Sequence, residues 1–354
     1  MEIINTRGAL LRTKKALENK QIKLGFIGGS ITEFAEYRSW TEPVINYIVS
    51  EYPDVRVSVR NSAIGATGSD YGVFHVDKEI ISKNCDIVFV EYAVNDDGKD
   101  SDLRMNSREG LIRKLIKSGC DVVLVYTYRE QMYSDMEKGD VPKSIADFEI
   151  IAENYNISSV WMAKNAFDEY MNGNIRLEEW LPDGLHPLER GSMSYAKPVI
   201  EFLKKELSTD NQERIILNEP ISPLNWENCA ILDFNELSWG KPWRCRENAV
   251  HRLPGEFLDT SAPNAVLKFE FEGRGMAFVK MHGKRSANTL LRIDGQEWID
   301  TDADSYVADC QGENGWHKFN YSGDLEYGKH VAEIKVVMNN LGSRCAIEMI
   351  GVVK

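Results

Sequence analysis

Ser30 lies in Phe26-Ile27-Gly28-Gly29-Ser30-Ile31-Thr32, directly after the first apolar run of the chain, 23–27. A serine in such a turn can expose its hydroxyl at a sheet edge where the next helix begins, or it can simply cap that helix. The turn is not the Gly-x-Ser-x-Gly elbow of the α/β-hydrolases. Far downstream stands Leu181-Pro182-Asp183-Gly184-Leu185-His186-Pro187. A serine hydroxyl needs a base, and imidazole fits because it titrates near neutrality. The imidazole in turn needs an acceptor that fixes its tautomer and stabilises the imidazolium. One turn can present both Asp183 and His186, although Pro-Asp-Gly is also ordinary turn chemistry. Of the six histidines, only His75 also precedes residue 208, within a stretch of helical pattern where packing is its expected role. By elimination His186 is the base of any triad in this part of the chain.

Attack on a carbonyl also requires donors for the developing oxyanion. Asn61-Ser62-Ala63-Ile64-Gly65-Ala66-Thr67-Gly68 follows the second apolar run, and its small residues let backbone N–H groups approach a ligand. Glu91-Tyr92-Ala93-Val94-Asn95-Asp96 closes the third, where Asn95 could offer its side-chain amide. Each segment alone reads equally well as a post-strand turn. The Gly-x-Gly-x-x-Gly spacing is missing after the first strand, as is a P-loop lysine, so nucleotide binding is not expected.

Elements that would position these residues follow from periodicity. Strand-like runs at 23–27, 55–60, 86–91, 121–126 and, more weakly, 157–160 alternate with helical stretches at 40–51, 73–82, 102–118, 142–154, 161–172 and 190–207. That alternation predicts an α/β unit with a parallel sheet covered on both faces. Ligands of such sheets bind beyond the carboxyl ends of the strands, where all three segments fall. The chain divides into 1–207, a polar, proline-marked linker at 208–222, and 223–354. In the last part, short β-like runs at 266–272, 275–281, 289–293, 316–321 and 330–338 predict an all-β, jelly-roll-like sandwich. It holds five of the eight tryptophans. Trp239-Gly240-Lys241-Pro242-Trp243-Arg244 is dense in aromatic and basic groups in a loop-like setting, so Trp239 and Trp243 are candidates for stacking on a sugar or for packing.

The formal net charge is −13; residues 1–218 carry 27 basic and 35 acidic side chains, and 219–354 carry 15 and 20. Neither part is basic, so nucleic acid and anionic membrane are not expected partners. No apolar run approaches a membrane span. The six cysteines lack CxxC spacing, so neither a metal site nor a disulfide framework is expected. With no signal-peptide pattern at the start, the expected location is cytoplasmic.

Together these residues resemble the SGNH, or GDSL-type, hydrolase superfamily, whose four sequence blocks supply Ser, Gly, Asn and His. Ser30 matches the nucleophile, 61–68 is similar to the second block, Asn95 to the asparagine of the third, and Asp183 with His186 to the Asp-x-x-His block. The resemblance spans residues 23–187. It implies a flavodoxin-like, parallel five-stranded sheet of order 2-1-3-4-5 and ester hydrolysis without metal or cofactor. It also implies an oxyanion hole from the Ser30 amide, the Gly65 or Ala66 amide and the Asn95 side chain. Three positions depart from the pattern: Gly29 stands where Asp is usual, Ala93 where the third block has glycine, and Ala66 where many relatives have the oxyanion glycine. An SGNH unit followed by a β-sandwich resembles the acetyl-mannan esterases of carbohydrate esterase family 17, which implies removal of small acyl groups, acetyl foremost, from a carbohydrate. The alternatives are a lysophospholipase or thioesterase of the same fold, and a catalytically silent carbohydrate-binding protein.

Overall fold

The computed structural model describes residues 1–33, 39–248, 255–303, 316–338 and 343–354. Two compact units divide the chain, Met1–Glu227 and Asn228–Lys354.

In the first unit the apolar runs become β2 (Gln21–Gly28), β3 (Arg56–Asn61), β4 (Ile87–Glu91), β5 (Asp121–Val125) and β6 (Ser158–Val160). β4 and β5 are buried at every position, which is why they read as unbroken apolar runs and not as alternating ones. All five are parallel and lie in the order β3-β2-β4-β5-β6. Counted along the chain this is 2-1-3-4-5. A sixth strand absent from the sequence reading, β1 (Ile4–Asn5), pairs antiparallel with β6 through Ile4↔Val160 and Asn5↔Ser159. Two residues carry no periodicity, so only tertiary pairing reveals it.

The helices are α1 (Leu11–Glu18), α2 (Ser30–Glu33), α3 (Thr41–Glu51), α4 (Ser69–Glu79), α5 (Ala93–Asp96), α6 (Ser101–Ser118), α7 (Tyr133–Glu137), α8 (Lys143–Asn154), α9 (Met162–Met171), α10 (Leu177–Trp180) and α11 (Glu189–Ser208). Phe26 stacks on Phe89 at 5.2 Å between ring centres, and Trp40 meets both edge-on at 5.5 and 6.1 Å. These three fully buried rings form the floor below the turn that follows β2. In parallel register Phe26 lies opposite Asn61 and Gly28 opposite Glu91. The carboxyl ends of β2, β3 and β4 are thereby brought together.

The polar stretch 208–222 and the residues after it run along α6. The amides of Ile221 and Ser222 donate to the Glu109 carboxylate at 2.6 and 2.8 Å, and Arg113 donates to the Asn218 carbonyl at 2.7 Å. Trp226 is fully buried, its ring 5.9 Å from that of Phe74, and its backbone N–H donates to the Asn106 carbonyl.

The second unit contains β7 (Ala230–Ile231), β8 (Arg244–Asn248), β9 (Gly255–Thr260), β10 (Val266–Gly273), β11 (Gly275–His282), β12 (Asn288–Ile293), β13 (Ile299–Asp300), β14 (Trp316–Ser322), β15 (Gly328–Val337) and β16 (Cys345–Val353). Two antiparallel sheets form, β10-β15-β12-β13 and β14-β11-β16-β9-β8, with β7 added beside β16. β10 alternates strictly between exposed and buried residues. Its Leu267, Phe269 and Phe271 share one core with Leu258, Phe278, Leu291, Ile334, Ile347 and Ile350 from the other strands. That is the sandwich expected from period-two patterning. Among the described residues no helix is long and apolar enough to cross a membrane.

Candidate active site

Ser30 opens α2 immediately beyond β2, so the short helix lifts its hydroxyl off the sheet edge. The hydroxyl donates to His186 Nε2 at 2.7 Å, and the other ring nitrogen, Nδ1, donates to Asp183 Oδ2 at 2.8 Å. The Asp183–His186 loop is built to hold that geometry. Asp183 Oδ1 accepts the backbone N–H of Leu185 at 3.0 Å and of His186 at 2.7 Å, while Gly184 turns at φ +77°. The Gly184 carbonyl accepts from Glu130 at 3.0 Å, which ties the loop to the chain after β5. Trp180, 1% exposed, packs on Tyr128 and Tyr195, and its carbonyl accepts the Leu188 N–H just beyond the loop. Burial pushes the Asp183 carboxyl up, but the two amides and the His186 ring outweigh it and hold the group below its ordinary value.

The second block forms a turn in which the Thr67 N–H reaches the Ile64 carbonyl at 3.4 Å and Ala66 stands at φ +61°. That is the third position of a turn whose positive φ favours glycine. An L-residue is tolerated there at a cost of roughly 1–2 kcal/mol. The Gly65 N–H is already committed, donating to Glu33 Oε2 at 2.8 Å. Asn61 secures the start of the loop: its carboxamide donates to the Thr32 carbonyl at 2.7 Å and accepts from the Ala63 N–H at 3.0 Å.

Asn95 lies in α5, half-buried, close against the turn that holds Gly29 and Ser30. A Cβ built on Gly29 would collide with its Oδ1. Glycine at position 29 therefore makes room for the Asn95 side chain beside Ser30. Asp96, next in the chain, accepts the Ser69 N–H at 3.0 Å and the Arg108 Nε–H at 2.9 Å, which locks α5 to α4 and α6. His75, buried in α4, bonds the Tyr71 carbonyl, and burial lowers it to about 4.

Ser30, Gly65, Ala66, Asn95, Asp183 and His186 all belong to the first unit, at the carboxyl ends of its strands. Glu33, Glu91, Asn61 and Asp96 support them, and sequence reasoning did not assign them roles. Their only signal is adjacency to the blocks, since their partners come from remote strand ends. Trp239 and Trp243 belong to the second unit. Trp243 is 5% exposed and packs within the sandwich core. Trp239 is half-buried, and its indole N–H donates to the Phe234 carbonyl at 2.8 Å. Among the described residues no group of three or more His, Cys, Asp or Glu side chains gathers as a metal site.

No protein-family model and no curated protein matches the sequence. Solved structures do. A crystal structure of a two-domain esterase (CEX) active on acetylated mannans covers 99% of this chain and 96% of its own, at 21% identity and a TM-score of 0.80. A structure of the same description, co-crystallised with mannopentaose, gives 0.79 over the same spans. Axe2, an acetylxylan esterase from Geobacillus stearothermophilus, covers 53% of this chain and 95% of its own, at 18% identity and a TM-score of 0.44. The chain thus shares the two-domain fold of the first of these proteins along almost its whole length.

Proposed function

We propose that this protein is a serine esterase that removes small acyl groups, acetyl foremost, from a carbohydrate. The observation that carries the reading is the unbroken relay Ser30–His186–Asp183, with bonds of 2.7 and 2.8 Å. Ser30 Oγ attacks the ester carbonyl as its proton passes to His186 Nε2. Asp183 holds the ring in the tautomer that can accept it. The oxyanion is met by the Ser30 and Ala66 N–H groups and by the Asn95 amide. The Gly65 N–H is left out because it serves Glu33. Collapse of the tetrahedral adduct expels the sugar oxygen, which takes the proton from His186. Water, deprotonated by the same imidazole, then releases the acid and restores Ser30. Support for a carbohydrate substrate comes from the shared two-domain fold with an esterase described as active on acetylated mannans.

The test is an ester panel: acetylated manno- and xylo-oligosaccharides beside aryl esters of increasing chain length. Acetyl esters should turn over fastest, and Ser30→Ala should release no acetate. Faster hydrolysis of long acyl chains would favour the lysophospholipase or thioesterase alternative. Oligosaccharide binding without acetate release would favour the silent binder.

A further inference from the structure

Glu91 takes no part in the steps above, yet it lies directly beside them. Its side chain is fully buried at the end of β4, opposite Gly28. Donors from two other strand ends converge on its carboxylate. Thr32 Oγ1, of α2, donates to Oε2 at 3.0 Å, Thr127 Oγ1, beyond β5, donates to Oε1 at 2.7 Å, and the Gly29 N–H adds a third. The Thr32 oxygen also accepts the Trp40 indole N–H at 3.1 Å, which leaves its own proton available to the carboxylate. Among the described residues the titratable groups facing Glu91 are Asp96 of α5, the neighbouring phenol of Tyr92 and the phenol of Tyr195 of α11, none of them a cation.

A buried carboxylate that forms no ion pair among the described residues is costly, and the fold alone gives no reason to keep one here. What it does hold is the nucleophile turn. Gly29 and Thr32, which flank Ser30, both donate to it, while Thr127 anchors the carboxylate to the neighbouring strand.

We propose that ionised Glu91 is the positioning residue of the nucleophile turn, fixing the backbone that aims the Ser30 hydroxyl at His186 and the Ser30 N–H at the oxyanion. This rests on the esterase reading above. Burial pushes Glu91 up to about 7, so the carboxylate that the turn needs is itself titrated near neutrality. When it takes a proton, one oxygen turns from acceptor to donor, so the three donors no longer share an acceptor-only group, a hydroxyl must reverse its role, and the turn loses an anchor.

The variant Glu91→Gln copies the protonated form in shape. Its carbonyl can serve Thr32 and Gly29, but its NH2 then faces the Thr127 hydroxyl. On an aryl acetate, kcat should fall about ten- to a hundredfold, the order of loss that small misplacement of a reacting group brings. KM should change less than about twofold, because ground-state binding is untouched. The ratio of wild-type to variant kcat/KM should shrink as pH is lowered through 7, where the wild type comes to resemble the variant. A ratio near one at about pH 8, or one that does not change with pH, would overturn the inference. Thr127→Val removes one donor while keeping the carboxylate, and should move the acid limb of the kcat/KM profile to higher pH. An unmoved limb would overturn it equally, even if Glu91→Gln does not fold. Ser30→Ala measured alongside separates the two readings. Activity in Ser30→Ala sinks the esterase, whereas inactive Ser30→Ala with wild-type Glu91→Gln sinks only the role of Glu91.

Discussion

Asp183→Asn should damage catalysis through the tautomer of His186 and not through the fold. Asp183 Oδ1 accepts two backbone N–H groups, from His186 at 2.7 Å and Leu185 at 3.0 Å, while Oδ2 faces Nδ1 at 2.8 Å. An asparagine must keep its oxygen toward the two amides, because the reverse orientation would oppose donors to donors and forfeit two bonds worth about 1 kcal/mol each. Its NH2 then points at Nδ1, which must become the acceptor, and the ring proton moves to Nε2. That proton faces Ser30 Oγ, and the base is lost. The expected fall in kcat is on the order of 10⁴, equivalent to about 5.5 kcal/mol of barrier. Asp183→Ala leaves Nδ1 to solvent, because the Asp183 side chain is 55% exposed, and forces neither tautomer. The alanine variant should therefore be no less active than the asparagine variant. Steady-state hydrolysis of an aryl acetate measures both, with circular dichroism as the check on folding. Asp183→Asn within about tenfold of wild type, or far more active than Asp183→Ala, would refute the tautomer argument.

On the proposed oxyanion role of its amide, Asn95→Ala should cost about 3 kcal/mol in kcat and little in KM; an effect confined to KM would make Asn95 a substrate-positioning group. Ala66→Gly should keep activity within about twofold because the donor is a backbone N–H. It should leave stability equal or higher by about 1 kcal/mol, the relieved φ +61° strain being partly offset by the freer unfolded chain. A tenfold loss of kcat would tie catalysis to the alanine methyl. For Glu91, the folded-state value of about 7 lies above the ordinary 4.5, so native stability is full below about 4.5 and declines as pH rises through 7. Relative to Glu91→Gln, which copies the protonated form, the wild type should therefore lose about 3 kcal/mol in urea unfolding as pH rises across that window, and a pH-independent difference would contradict the burial argument.

Much of this architecture is legible because its signals are local. β4 and β5 announce themselves as short apolar runs, and β10 as strict alternation, since burial on two faces or one writes itself into the sequence. β8 does not. Its sequence Arg-Cys-Arg-Glu-Asn looks like a loop, and its two arginines are placed by the buried Asp259 across the sheet, at 3.1 Å each. Such long-range ion pairing overrides strand propensity. Spacing and chemistry alone single out Ser30, Asp183 and His186, which the structure brings into hydrogen-bond contact. The choice between Gly65 and Ala66 needs two things no motif carries: the Glu33 carboxylate on one amide and the positive φ of the other residue. Glu91 is silent in sequence for the same reason, because Thr32 and Thr127 meet it only after three strands have aligned.

The central claim is that Ser30 is a nucleophile activated by His186. Its most direct test is labelling with a fluorophosphonate, followed by mass mapping of the modified peptide. The wild type should carry a single adduct on Ser30, formed in parallel with loss of acetyl-ester hydrolysis. Ser30→Ala should take no label, and His186→Ala should label far more slowly. An adduct on another residue, or acetate release by Ser30→Ala at more than a few per cent of the wild-type rate, would contradict the account.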